Sequence, residues 1–296
     1  MKPSLLILIL PLFLASALYA QQKKPDWPTW HQLKKDVTVQ KDLVYAEVDG
    51  QKLKLDLYRP ANAKNGAKEK VLPGVLFIHG GGWSGGNKQV NWRQSAMLAR
   101  EGYAVACMEY RLLPKAKILN CVEDAKAAVR WMRANAATYH INPERIGAIG
   151  GSAGGHLAGM LAVSSGTKEL EGRGGNKAIS SQIQAAVPMA MPSDLDNLFV
   201  RQRFKLTSDE AKLVSPTRYV NKDQAPMLLL HCKADRTVPY FSSSAFLLLC
   251  KGEGADIKLV EIKNGGHAFW HKSNGFEETL TAALPFLKKH LQDAAE

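Results

Sequence analysis

Two five-residue stretches, GWSGG at Gly82 to Gly86 and GGSAG at Gly150 to Gly154, both spell G-x-S-x-G. The pattern suits a serine set on a sharp strand-to-helix turn, where its hydroxyl is exposed and can attack a carbonyl carbon. A serine hydroxyl is a weak nucleophile until a base takes its proton, so the same chemistry requires a histidine and a carboxylate that orients it. One chain needs one such nucleophile, and the surroundings of each serine decide between them.

Ser152 follows the apolar run RIGAIG and precedes HLAGMLAV, which can continue as a helix. A helix starting there aims backbone N–H groups at the hydroxyl. Ser84 also follows an apolar run, GVLFIH, but glycines surround it and Asn87-Lys88-Gln89 delays any helix. Ser84 therefore reads as a loop residue and Ser152 as the nucleophile. The loop has another use. In HGGGW, His79 to Trp83, residues without side chains let backbone N–H groups converge on a small anion, as an oxyanion hole requires. Gly81 and Gly82 are the expected donors, with the N–H of Ala153 as a third. Trp83 has two readings of equal standing, a wall of the acyl pocket or an anchor for the loop.

Eight histidines compete for the role of base. His267, in NGGHAFW, lies in a loop after the last apolar run, where glycines permit an unusual backbone and an exposed ring; His271 is the runner-up. His156 shares the expected helix of Ser152 and reads as packing along it, while His79 and His231 close apolar runs and read as bonding to nearby backbone. For the acid, Asp235 in HCKADRTVP follows PMLLLHC, with Val238-Pro239 fixing the exit. Asp194 in MPSDL is the alternative, and it reads equally well as a cap. The order Ser152, Asp235, His267 is the Ser…Asp…His order of the α/β-hydrolase arrangement.

These groups need a scaffold that brings distant loops to one place. VTVQKDLVYAEVDGQKLKLDLYRP alternates apolar and polar residues around Asp49-Gly50, which predicts an antiparallel hairpin. Six short apolar runs follow, at 74–79, 103–110, 145–150, 183–190, 226–232 and 257–263, as expected of strands buried on both faces. Between them the clearest helical pattern covers 119–137, with Val122, Ala125, Val129, Met132 and Ala136 on one stripe and Glu123, Asp124, Lys126 and Arg130 off it. A hairpin followed by alternating strands and helices predicts an α/β fold, a mostly parallel sheet with helices on both faces. Such sheets carry their sites at the carboxyl ends of the strands, where every motif above falls.

The chain has 296 residues, 46% of them hydrophobic, enough for one large α/β domain or two small ones. MKPSLLILILPLFLASALYA reads as a secretory signal peptide, cleaved after Ala17 or Ala20, and Pro11 interrupts a run already short for a bilayer span. The expected organisation is a signal peptide over 1–20, a leader over 21–36 and one catalytic domain over 37–296, exported and without stable membrane insertion. Cys107, Cys121, Cys232 and Cys250 show no metal spacing and no C-x-x-C, so they read as small buried hydrophobes, although export would allow disulfides. The net charge is +12, but the lysines are scattered and not blocked, which fits a solvated surface and no nucleic-acid partner.

With these motifs in hand, the sequence resembles the α/β-hydrolase superfamily, and within it secreted carboxylesterases related to hormone-sensitive lipase and to bacterial feruloyl and acetylxylan esterases. The resemblance rests on HGGGW at 79–83, EYRLLP at 109–114, DAKAAVRWMRANA at 124–136, GGSAGGH at 150–156, HCKADRTVP at 231–239 and GGHAF at 265–269. It implies Ser152 as nucleophile, Asp235 as acid, His267 as base, and Gly81, Gly82 and Ala153 as oxyanion donors, with no cofactor and no metal. Cys232 stands where such esterases usually have glycine, and MPSDL where they more often show G-P-x-D. The implied activity is hydrolysis of short-chain acyl or aryl esters, with acetyl or feruloyl groups on polysaccharides as the preferred substrate. Two rivals remain at this level. A prolyl-oligopeptidase-type serine peptidase would share fold and elbow but needs a further substrate-selecting domain, for which about 75 residues before the first core strand leave no room. A non-catalytic binder on the same scaffold would typically lack one of the three side chains.

Overall fold

The computed structural model describes residues 30–65 and 68–293. The expected signal segment and most of the leader fall outside these residues. The described residues begin with a helix, α1 (Trp30–Asp36), that buries Leu33 completely. The predicted hairpin follows as β1 (Val37–Val48) and β2 (Gln51–Pro60). Its two-residue connection, Asp49 and Gly50, has φ of 52° and 76°, the pair of positive angles that matches the twist of adjoining strands.

Six more strands alternate with helices: β3 (Leu72–Ile78), α2 (Trp92–Arg100), β4 (Ala104–Met108), α3 (Ile118–Ala134), β5 (Ile141–Gly151), α4 (Ala153–Val163), β6 (Ala185–Met189), α5 (Leu198–Phe204), α6 (Ser208–Leu213), β7 (Met227–Cys232), α7 (Tyr240–Gly252), β8 (Ile257–Ile262) and α8 (Ser273–Leu287). They form one eight-stranded sheet in the order β1-β2-β4-β3-β5-β6-β7-β8. Within this sheet the pairings β1 with β2 and β2 with β4 are antiparallel and the others are parallel.

The central runs are apolar throughout because both faces are covered. In β3, Leu76 and Ile78 join one core layer while Val75 and Phe77 join the other. In β4, Ala104, Ala106 and Met108 alternate in the same way with Val105 and Cys107. The first layer packs beneath α3 and α4, the second beneath α2 and α8. The last run departs from its expectation. β8 has one neighbour, β7, and as an edge strand it leaves Lys258 and Glu261 exposed instead of being buried on both faces.

Helix α3 departs as well. Its apolar stripe is buried as expected from Val122 to Met132, although the helix ends at Ala134 and Ala136 opens a separate short helix; Asp124, Lys126 and Arg130, which lie off that stripe, are buried too, at 1%, 0% and 1% exposure. The segment after α4 covers this second face: Lys126 Nζ donates to the Ser164 carbonyl and Arg130 to the carbonyls of Gly174 and Gly175. Glu171 supplies the counter-charge, accepting from Lys126 at 3.0 Å and from Arg130 at 2.6 Å. Burial pushes the Lys126 ammonium below its ordinary range despite Glu171. Asp124 is held by Arg111, whose guanidinium donates to it at 2.7 Å. All four cysteines are buried free thiols. No helix of the described residues is long and apolar enough to cross a membrane.

Candidate active site

Four loops at the carboxyl ends of β3, β5, β7 and β8 meet at one place. β5 ends at Gly151, and Ser152 turns the chain into α4 with φ 57° and ψ −121°. That conformation is sparsely populated for a residue with a side chain and costs on the order of 1–3 kcal/mol. It is held by backbone bonds on both sides: Ser152 N–H donates to the Met189 carbonyl at 2.8 Å, and His156 N–H to the Ser152 carbonyl at 2.9 Å. Gly154 permits the close approach the turn needs, since a Cβ there would lie 2.2 Å from the Ile78 carbonyl oxygen. Helix α4 is buried on every side, so the turn has a rigid backing.

The hydroxyl of Ser152 lies 3.1 Å from Nε2 of His267. His267 Nδ1 lies 2.7 Å from Oδ2 of Asp235. Because the carboxylate can only accept, Nδ1 carries the proton and Nε2 is left to accept from the serine. His267 sits in a loop whose neighbours Gly265, Gly266 and Ala268 all have positive φ, and its side chain is 23% exposed. The Asp235 side chain is fully buried. Burial alone would raise its pKa, but the contacts from His231 and His267 and the N–H groups of Val238 and Thr237, at 2.9 and 2.8 Å, hold it well below the usual carboxylate range. The acid is thus ionised wherever the histidine must be oriented.

The other candidates lie elsewhere. Asp194 is exposed and its Oδ1 accepts from the Asp196 N–H, a local turn; the cap of α5 is Asn197. His271 Nδ1 faces Gln94 Nε2 at 3.1 Å. His79 bonds to the Gly80 carbonyl and stacks on Tyr110 at 4.3 Å between ring centres. His156 is fully buried, with Nε2 2.6 Å from the Val214 carbonyl and Nδ1 accepting from Trp83 Nε1 at 3.3 Å. Burial pushes its pKa down to about 4.

The HGGGW loop runs alongside the serine, with Gly80 against Gly151 and the Ser152 Cβ. Its turn is closed by the Gly81 carbonyl, which accepts from the N–H groups of Ser84 and Gly85, both at 3.1 Å. Gly81 has φ 119°, and a Cβ there would meet the Gly85 carbonyl oxygen at 2.3 Å. The N–H groups of Gly81 and Gly82 donate to no group among the described residues, and Ala153 is the first residue of α4, where a helix N–H has no partner within the helix. Ser84 is exposed on this loop. The Trp83 ring is buried, set edge-on to both His156 and Phe204.

Two supports of the loop were not singled out in the sequence. Tyr110 donates its hydroxyl to the His79 carbonyl at 3.0 Å, and Leu113 N–H donates to the Trp83 carbonyl at 2.9 Å. Both belong to EYRLLP at 109–114, a stretch that carried the family resemblance without a role for either residue. Lys88, nearly buried, bridges the loop's far end to Asp42 at 3.0 Å and Glu109 at 3.1 Å.

Fold, strand order and elbow together define an α/β-hydrolase. The model of the BD-FAE family matches residues 55–248, about two thirds of the chain, and the chain belongs to that family. Esterase LipQ of Mycobacterium tuberculosis is 28% identical over 232 residues, covering 73% of this chain and 54% of its own. The isoprenylcysteine alpha-carbonyl methylesterase ICME of Arabidopsis thaliana is 30% identical over 243 residues, covering 75% and 55%. The chain thus spans about half the length of these curated relatives. Among solved structures, native esterase 2 of Thermogutta terrifontis superposes with a TM-score of 0.75 at 31% identity, over 88% of this chain and 95% of that one. That esterase is also known with propionate bound, with butyrate bound, and phosphorylated by paraoxon.

Proposed function

We propose that the chain is a serine carboxylesterase that hydrolyses short-chain acyl esters through an acyl-enzyme on Ser152. The observation that carries this reading is the line of contacts from Ser152 Oγ to His267 Nε2 at 3.1 Å and from His267 Nδ1 to Asp235 at 2.7 Å. In the first half-reaction Ser152 Oγ bonds to the ester carbonyl carbon while its proton passes to His267 Nε2. The negative charge that develops on the carbonyl oxygen is met by the N–H groups of Gly81, Gly82 and Ala153. Collapse expels the alcohol, which takes the proton back from His267. Water then repeats the sequence, releasing the carboxylic acid and restoring the serine. Asp235 holds the imidazole in the required tautomer and stabilises its positive form throughout.

A short acyl group is favoured by the segment over the site. Residues 191–225 contain two short helices, α5 and α6, and Leu198 and Phe199 of α5 point to solvent, 64% and 69% exposed. Phe204 packs on Trp83 instead. With Leu198 and Phe199 turned to solvent, a long acyl chain gains from them little of the ~0.8 kcal/mol per CH₂ that burial would return. The solved relative with propionate or butyrate bound supports the same range. On the alcohol side we favour an acetylated or feruloylated saccharide, on the motif resemblance to esterases of that kind, and export through residues 1–20, on their signal-like pattern.

The test is a panel of p-nitrophenyl esters followed by acetylated and feruloylated oligosaccharides. Acetyl to butyryl esters are expected to turn over, with a steep fall beyond about eight carbons and no rate jump above the substrate's solubility limit. Faster turnover of a palmitoyl than an acetyl ester would replace esterase with lipase. Release of neither acetate nor ferulate from the oligosaccharides would remove the saccharide assignment alone.

A further inference from the structure

A second histidine touches the acid. His231, the penultimate residue of β7, is completely buried. Its Nε2 lies 3.0 Å from the Val238 carbonyl and 3.3 Å from Asp235 Oδ2. Both neighbours only accept, so Nε2 carries a proton, which is directed to the Val238 carbonyl and sits beside Asp235 Oδ2. On the other side of the ring, Nδ1 lies 2.8 Å from the hydroxyl of Ser243 in the first turn of α7, and that residue is 1% exposed. With Nε2 protonated, Nδ1 is placed to accept from the Ser243 hydroxyl.

The consequence for Asp235 follows from its geometry. Oδ1 is occupied by the N–H groups of Thr237 and Val238. Oδ2 is the oxygen that faces His267, and His231 approaches this same oxygen from inside the fold. A carboxylate held at one oxygen by its own loop can still tilt about that anchor. A donor fixed to the sheet by β7 and to α7 by Ser243 removes that freedom at the oxygen used in catalysis, and it draws part of the negative charge away from His267.

Resting on the esterase reading, we propose that His231 is a positioning residue of the catalytic group: its Nε2–H holds Asp235 Oδ2 in line with His267 and moderates the pull of the carboxylate on the imidazole. The charged and titratable groups facing this line are few. Asp235 faces His231 and His267; His267 faces Asp235 and Ser152; His231 faces Asp235 and the Tyr240 ring, 5.5 Å away between centres.

Three variants separate positioning from mere packing. His231→Leu keeps most of the volume and removes the donor. His231→Gln returns an amide N–H near the place of Nε2. Ser243→Ala removes the partner of Nδ1 and leaves Nε2–H in place. For His231→Leu, kcat on p-nitrophenyl acetate is expected to fall on the order of ten- to a hundredfold with KM within about twofold. Its rate-versus-pH curve should also move to higher pH, because a carboxylate without its second donor holds the protonated imidazole more tightly. His231→Gln should recover most of both changes, and Ser243→Ala, which loosens the ring but keeps Nε2–H, should show the same changes to a smaller degree. If all three lower thermal stability while kcat and the pH curve stay those of the parent, His231 is a packing residue and the proposal falls. Should His231→Leu not fold, histidine ¹⁵N spectra of the parent decide: a proton on Nε2 of His231 is required, and the Nδ1–H tautomer would overturn the proposal. An inactive parent would instead overturn the esterase reading, a result distinct from an active parent indifferent to His231.

Discussion

The two G-x-S-x-G stretches share a spelling and little else. Ser84 lies on an exposed turn closed by the Gly81 carbonyl, after β3 and ahead of a loop that delays α2 until Trp92. Ser152 lies between β5 and a wholly buried helix, in a strained backbone conformation that the surrounding bonds enforce. The first loop is exposed at its tip but pinned behind by Tyr110, Trp83 and Lys88. The comparison teaches that glycines serve opposite purposes in the two places. Around Ser152 they let strand and helix touch so that a side chain is presented; around Ser84 they strip side chains away so that backbone N–H groups are presented.

The largest expected difference is between the serines themselves. Ser152→Ala should lower kcat on p-nitrophenyl acetate by about three or more orders of magnitude, whereas Ser84→Ala should stay within about twofold. His267→Ala should match the first and His271→Ala the second. Comparable losses for the two serine variants would break the distinction. A dead His271 variant beside an active His267 variant would reassign the base.

A middle-sized effect is expected from the loop's backbone. Gly81→Ala puts a Cβ where the Gly85 carbonyl stands, at a φ that alanine resists. It should lower kcat on the order of a hundredfold through misplaced oxyanion donors, with KM little changed. A Gly81→Ala enzyme with parental kcat would show that this loop does not bind the oxyanion.

The smallest effect concerns stability and the joint between the two regions. Trp83 of the loop donates to His156, one turn beyond Ser152, and burial holds His156 at a pKa of about 4 against an ordinary 6.5. The unfolded chain therefore takes up that proton first. Stability should fall as pH drops from about 6.5 to about 4 and then level for this group, a loss of roughly 3 kcal/mol at most. His79 and His271, also depressed by burial, add to the same slope. Urea midpoints measured across that window should slope more steeply for the parent than for His156→Gln. Equal slopes would mean that His156 is not kept neutral by the fold.

Much of this arrangement was legible in the sequence, for physical reasons. The hairpin was visible because alternation has a period of two and Asp49-Gly50 is a two-residue turn. The central strands were visible because burial on both faces leaves uninterrupted apolar runs. Ser152, Asp235 and His267 were visible because each follows such a run in the order the chemistry needs. What stayed hidden depends on partners far away in the chain. Asp124, Lys126 and Arg130 fell off the apolar stripe of α3, and nothing local announced that Arg111 and Glu171 would let them be buried. The exposure of β8 at the edge of the sheet was announced by Lys258 and Glu261 within its run, which a strand buried on both faces would not carry. Trp83 and His156 could be named singly, but their bond joins residues 73 apart.

The most direct test of the assignment of Ser152 is covalent. Paraoxon transfers its phosphoryl group to an activated serine: the Oγ–P bond forms, p-nitrophenolate leaves, and the serine proton passes to the base. Treated enzyme would be digested and its peptides examined by mass spectrometry while residual esterase activity is followed. The expected result is one diethylphosphoryl group, on the peptide that carries Ser152, appearing in step with loss of activity and absent from Ser152→Ala. A label on the Ser84 peptide, or full inactivation with Ser152 unmodified, would contradict it.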